Sequence, residues 1–407
     1  MDQLILPDAE WRGRQGLARL AEVLGAGDGM SRFVGGAVRD SLLGTPVADI
    51  DIATRHEPET VLKLLHAAGI RAVPTGLAHG TITAVLEQGP VEVTTLRRDV
   101  STDGRRATVA FTDDWREDAA RRDFTMNALY ADPLTGALFD YFGGLADLEA
   151  RRVRFIGDPY RRIAEDHLRI LRFFRFLARF GDTPEPEGLQ ACTDRANDLM
   201  ALSRERIADE LLKLLVAKNA VAVMWLMVER GILLPVLPEI TLEGVERFDR
   251  AARYESAAGL SPDPIRRLAA LLPCDPKTGD TVGARLKLSN LQRKRLITAL
   301  DAAGTDDPRA LAYRIGKTEA LDRIFLWVES PQDAATASQL IRDWDVPRLP
   351  LTGGSIVARG VDAGPEVARI MRRVEDQWIA EGFPGEDRVT ALADEAVAQA
   401  LRSVRNA

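Results

Sequence analysis

This 407-residue chain has only two cysteines and four histidines, and no unbroken apolar run approaches the ~18 residues that would suggest a membrane span. Cys192 and Cys274 lie far apart and form no CxxC pair, which excludes a disulfide framework and a cysteine-built zinc site. A reducing, cytoplasmic setting is the expectation. The opening MDQLILPDAEWRGRQG lacks the basic-then-apolar order of a secretion signal, and nothing implies a membrane or a protein partner. An excess of positive charge is missing too: the net charge of −7 argues against a broad phosphate-binding surface. The average hides a patch, however. Between Arg151 and Phe180 stand nine arginines against three acids; taken alone, such a run is ordinarily a solvated helix face.

What is present is 46% hydrophobic and 28% charged, enough for a large core and two to four structural units. The first third mixes signals. RFVGG reads as a strand entering a glycine turn, AVRDSLLG as a short helix closed by Gly44, and ADIDIAT as a strand by its period-two alternation. PETVLKLLHAAG is an amphipathic helix, TITAVLE and VEVTTLR flank a hairpin turn, and STDGRRA reads as a glycine-rich loop before the strand TVAF. From about residue 145 the pattern is helical in nearly every window. The expected class is α+β, a mixed-sheet head followed by a helical body.

The stretch FVGGAVRDSLLGTPVADIDIAT carries the first chemistry. On a strand Asp49 and Asp51 point one way, and Ile50 and Ile52 the other. Two converging carboxylates repel unless a cation sits between them, and oxygen-only ligands suit Mg2+. Gly35 and Gly36 let the backbone approach a triphosphate, the following helix start offers N–H groups, and Arg39 adds a charged fork. A lone DxD is more often a solvated edge and a lone GG a turn; their combination favours a metal-and-phosphate site. Glu92, in VEVTT, is a candidate third acid.

These residues resemble the signature of the class II tRNA nucleotidyltransferases, the CCA-adding enzymes, and of the related bacterial poly(A) polymerases, within the polymerase-beta-like superfamily. RRDFTMNALYAD, residues 121–132, resembles the family's second motif. The resemblance implies that Arg122 contacts phosphate and that Asp123 and Asn127 lie near the sugar, where they favour a ribonucleotide. FDYFGGLADLEARRVRFIGDP resembles the family's hinge between head and neck, with Gly143 and Gly144 supplying backbone freedom.

AEDHLRILRFFRF reads as one helix with Glu165, Asp166 and Arg169 on one side. An intrahelical salt bridge is the plain explanation. A second reading follows from base chemistry: cytosine and adenine both present an amine donor beside a ring-nitrogen acceptor, whereas uracil and guanine present the reverse. A fixed carboxylate beside a fixed guanidinium suits the first pair and leaves buried groups unsatisfied with the second. In the family this helix is an amino-acid template of that kind. The resemblance therefore assigns base reading to Asp166 and Arg169, further nucleotide contacts to Arg172 and Arg175, and orientation of Arg169 to Glu165. SRERIADELLKLL resembles the next motif, with Ser203 as helix cap and the pairs Glu205/Arg206 and Glu210/Lys213 as support.

The resemblance further implies a nucleotidyltransferase head (1–148), a helical neck for base recognition (149–217), a helical body (218–310) and a helical tail (311–407). The tail would bind tRNA, with Gly353, Gly360 and Gly364 able to approach RNA phosphates. Asp49 and Asp51 would be catalytic and hold two Mg2+ ions, CTP and ATP would be the substrates, and the acceptor stem and elbow of tRNA the partner surfaces. With no histidine after His167, the histidine-based phosphohydrolase domain of some relatives should be absent, and His79 has no assigned mechanism. The full-length loop after Arg97 favours complete CCA addition over a CC-only activity. Two alternatives stand beside this: a poly(A) polymerase on the same fold, and a non-catalytic nucleotide- or RNA-binding protein.

Overall fold

The computed structural model describes residues 4–102, 107–302 and 307–405. They form two compact units, Met1–Leu242 and Glu243–Ala407.

In the first unit, strand β1 (Ser31–Val34) runs into Gly35, whose φ of 68° and ψ of −121° suit glycine alone. The helix Gly36–Leu42 starts there, and Gly44 follows with φ of 64°. Strand β2 (Asp51–Thr54) pairs antiparallel with β1, Phe33 opposite Ile52. Alternation then buries Ile50 and Ile52 and leaves Asp51 on the other face. Strands β3 (Arg71–Gly76), β4 (Thr81–Leu86) and β5 (Gly89–Thr95) are joined antiparallel in chain order. β5 also lies parallel to β2 with Glu92 beside Asp51. Beyond them β6 (Arg97–Thr102) and β7 (Ala107–Phe111) pair as a separate hairpin. Their pairing, Ser101 opposite Thr108 and Thr102 opposite Ala107, extends strand into part of what the sequence presented as loop; the segment 103–106 around Gly104 lies outside the described residues. Strands β8 (Leu129–Ala131) and β9 (Leu138–Asp140) complete a seven-stranded sheet ordered β3-β4-β5-β2-β1-β8-β9.

The glycine pair after β9 is a tight joint rather than a loose one. Asp140 Oδ1 accepts the N–H groups of both Gly143 and Gly144, at 2.9 Å each. A Cβ on Gly144 would stand 2.3 Å from the Thr125 carbonyl oxygen. Close packing requires glycine at 144, whereas at Gly143 the φ of 78° is what favours glycine.

The neck departs from the single expected helix. One helix, Pro159–Glu165, ends at Asp166, which is extended (φ −152°, ψ 106°), and a second runs Arg169–Phe180. No glycine or proline marks the break. The second helix buries Phe173, Phe174 and Phe176, and Phe155 stacks on Phe173 with centroids 5.6 Å apart. The helix Arg204–Leu215 follows; Ser203 occupies its cap position without a side-chain capping bond, and Lys213 pairs with Asp209 rather than Glu210.

The second unit is helical from Leu242–Ala257 to Glu386–Arg405. Its cores gather around Phe325 and around Trp378. A buried ion-pair lattice accompanies them: Arg266 reaches Glu255 and Asp322 at 3.1 and 3.2 Å, and Arg295 reaches Asp322 and Asp263 at 2.8 and 2.9 Å. Gly353 opens the helix Gly353–Val357, capped by Thr352, and Gly360, with φ of 93°, lies in the turn that follows it.

Candidate active site

The start of β2, the glycine turn after β1, the turn that precedes β8 and the break before the helix Arg169–Phe180 converge on one open cavity of about 490 Å³. It brings together Gly35, Gly36, Arg39, Asp51, Arg122, Asp123, Asn127, Asp166, Arg169 and Arg172, residues drawn from three separate sequence motifs. Asp49, Glu165 and Arg175 do not line it. Asp49 is exposed and precedes the strand, although the Glu92 N–H donates to the Ile50 carbonyl at 3.0 Å between the two aspartates. A larger cleft, about 790 Å³, lies between residues 7–14 and 44–47. Its buried hydroxyl, on Ser41, is already engaged by Trp11 and the Ala37 carbonyl.

Asp51 has no ion-pair partner among the described residues. Burial, together with the charges of Glu92 and Asp49, pushes its carboxyl up to about 6, against the opposing pull of Arg122. A crowded carboxylate without an ion-pair contact, with Asp49 two residues away, has the donor chemistry of a hard divalent cation completed by water and phosphate. Glu92, the strand partner of Asp51 on β5, lies on the same face and is the acid whose charge Asp51 feels most, although no cluster of three acidic, histidine or cysteine side chains forms among the described residues.

The arginines are held by acids. Arg39 is buried and donates to Asp40 Oδ1 from Nε and to Asn127 Oδ1 from Nη1, at 2.7 and 2.5 Å. Burial lowers its guanidinium below the ordinary arginine value although Asp40 opposes this. Arg172 donates to Asp123 and Arg175 to Glu210 Oε2, the latter at 2.5 Å. Asp123 also accepts the Asn127 amide and the Phe124 N–H, at 2.9 and 2.8 Å. Burial would raise its carboxyl, but Arg172 and these hydrogen bonds outweigh that and bring it down to about 2. The two side chains expected near the sugar thus form part of a continuous network from Arg39 to Glu210. Glu210, at its end, takes Arg172 and Arg175 rather than the expected Lys213, and Asp118, which binds Arg121, Arg122 and Tyr130 beside this network, carried no motif signal.

At the neck break, Arg206 Nη2 donates to both oxygens of Asp166, at 3.1 and 2.9 Å, and the Leu168 N–H donates to Oδ1 at 3.1 Å. Arg169 Nη1 donates to Glu165 and to the Arg162 carbonyl at 2.6 and 2.8 Å, and Nη2 to the Arg121 carbonyl at 3.2 Å. The carboxylate and the guanidinium are therefore fixed from behind, with acceptor capacity left on Asp166 Oδ2. They line one cavity, though not as neighbours on one helix. The His79 carbonyl accepts Arg97 Nη1.

A family model described as poly A polymerase head domain matches residues 31–154, and one described as a probable RNA and SrmB-binding site of polymerase A matches residues 183–243. The chain is 36% identical over 390 residues to the Homo sapiens mitochondrial CCA tRNA nucleotidyltransferase 1, covering 91% of this chain and 87% of that one. Among solved structures it resembles the Bacillus stearothermophilus CCA-adding enzyme in complex with CTP, with a TM-score of 0.74 at 26% identity over 95% of this chain and 98% of that one. The Thermotoga maritima CCA-adding enzyme complexed with tRNA-CCA shares the fold, with a TM-score of 0.69 at 20% identity over 97% and 99% of the two chains. No helix among the described residues is long and apolar enough to cross a membrane.

Proposed function

The chain belongs to the CCA tRNA nucleotidyltransferase family, and on that footing we propose that it builds the CCA 3′ end of tRNA by transferring CMP, CMP and AMP from CTP and ATP. In each transfer the 3′ oxygen of the RNA forms a bond to the α-phosphorus of the nucleotide, and pyrophosphate leaves. The observation that carries the reading is the convergence in one cavity of Asp51, the glycine turn, the arginine-rich turn at 121–127 and the pair Asp166 and Arg169.

The residues fit a divalent cation, and Asp49 and Asp51 would hold Mg2+. When bound, the ion supplies charge neutralisation for the triphosphate and a lowered pKa for the attacking hydroxyl. Gly35 and Gly36 leave room for the phosphates, and Arg122 is the cation offered to them. Asp123 and Asn127 act through the network that anchors Arg39 and Arg172. Arg172 and Arg175 support the neck helix, and any contact they make with nucleotide requires them to share donors with Asp123 and Glu210.

Base choice falls to Asp166, which accepts from the exocyclic amine, and Arg169, which donates to the ring nitrogen. Glu165 orients Arg169. The helical segments divide the remaining work, with residues 149–217 as neck, 218–310 as body and 311–407 as a tail that binds tRNA by shape and backbone. The composition favours a cytoplasmic setting, while the human relative is by name mitochondrial. Poly(A) addition shares the head, but similarity along nearly the whole chain is to a CCA enzyme.

The test uses a tRNA transcript ending at its discriminator base. CTP alone should add two nucleotides, CTP with ATP a third, and an Asp51→Asn variant none. Extension by the variant at the wild-type rate would remove Asp51 from the chemistry.

A further inference from the structure

Asp118 lies in the helix Trp115–Ala120 and is 1% exposed. It does not line the cavity, yet three residues that do are tied to it. Arg121 donates to Oδ1 from Nε and Nη2, both at 2.8 Å. Arg122 Nη2 donates to Oδ2 at 3.2 Å, where the Tyr130 hydroxyl also donates at 2.7 Å. The Arg97 backbone N–H, at the foot of the β6–β7 hairpin, reaches Oδ1 at 3.3 Å. One buried carboxylate thus joins the hairpin, the 121–122 turn and the sheet.

Two arginines on one acid leave net positive charge facing the cavity, which suits a polyanion. The geometry also sets a danger. Asp51 lines the same cavity, has no ion-pair partner among the described residues and feels the charge of Arg122, and a guanidinium released from its anchor would be drawn toward that carboxylate. We propose that Asp118 is a positioning residue for nucleotide binding: it holds Arg121 and Arg122 open to the triphosphate and keeps Arg122 from pairing with Asp51. This rests on the assignment of the cavity to nucleotide.

Asp118→Asn keeps the shape and removes the charge, Asp118→Glu restores the charge, and Tyr130→Phe removes one hydroxyl while keeping the ring. The readouts are the CTP dissociation constant by titration calorimetry, which needs no turnover, KM and kcat for each nucleotide, KM for tRNA, and thermal midpoints. Asp118→Asn should weaken CTP binding about tenfold with KM for tRNA unchanged. Tyr130→Phe should weaken it about threefold near the wild-type melting point, and Asp118→Glu should recover part of the loss. A folded Asp118→Asn that binds CTP like wild type overturns the proposal. If that variant does not fold, wild-type CTP affinity in Tyr130→Phe overturns it. Wild-type protein that binds CTP but adds nothing to tRNA would fault the proposed reaction and leave this inference to the binding data.

Discussion

Arg172 donates both its Nε–H and its Nη2–H to one oxygen of Asp123, at 2.8 and 2.6 Å. The contact spans 49 residues of sequence and joins the neck helix to the 121–127 turn. A charge that motif reading offers to the nucleotide is thus engaged in holding the cavity together. Arg172→Ala and Asp123→Ala should each lower stability, and a double-mutant cycle should return a coupling of about 2 kcal/mol. Additive losses in urea denaturation would contradict the pairing.

The same aspartate gives a pH dependence with a definite sign. Its folded pKa lies near 2, below the unfolded carboxylate value of about 3.9. The stability it contributes is therefore complete above about pH 4 and fades as pH falls toward 2. The stability gap between wild type and Asp123→Asn should be wide at pH 6 and narrow by pH 3. A gap constant over that range would show that the carboxylate charge is not what matters.

Gly144 faces the Thr125 carbonyl so closely that a methyl group has no room. Gly144→Ala should cost about 2 to 3 kcal/mol, read as a lowered thermal midpoint, whereas alanine at Gly157, where nothing approaches within 4 Å but φ is 78°, should cost less. Equal losses at the two sites would mean that the head–neck joint is looser than described.

Base selection should depend on groups behind the readers as well as on the readers. Asp166→Ala with Arg169→Ala should relax rejection of UTP and GTP. Arg206→Ala, which frees Asp166 on one side, should do so more weakly, about tenfold in relative kcat/KM. Unchanged discrimination in the double variant would place base reading elsewhere.

Local chemistry made much of this legible. The glycine turn and β2 were readable because alternation and a left-handed glycine are short-range signals, and so was the hairpin of β4 and β5. The break at Asp166 was not, because no glycine or proline marks it and the extended residue is stabilised by Arg206, 40 residues away. Asp118 read as one acid among several in WREDAARRD, and only folding shows that it anchors Arg121, Arg122 and Tyr130. Glu210 was paired on paper with Lys213 by helical spacing, while burial turns it toward Arg172 and Arg175.

The most direct measurement supplies all four nucleoside triphosphates at equal concentration with Mg2+ and a tRNA lacking its 3′ end, then sequences the product termini. The account predicts C, C and A in that order, with extension stopping there. Tails of repeated A, or incorporation of U and G at comparable frequency, would contradict a protein site that reads cytosine and adenine and counts to three.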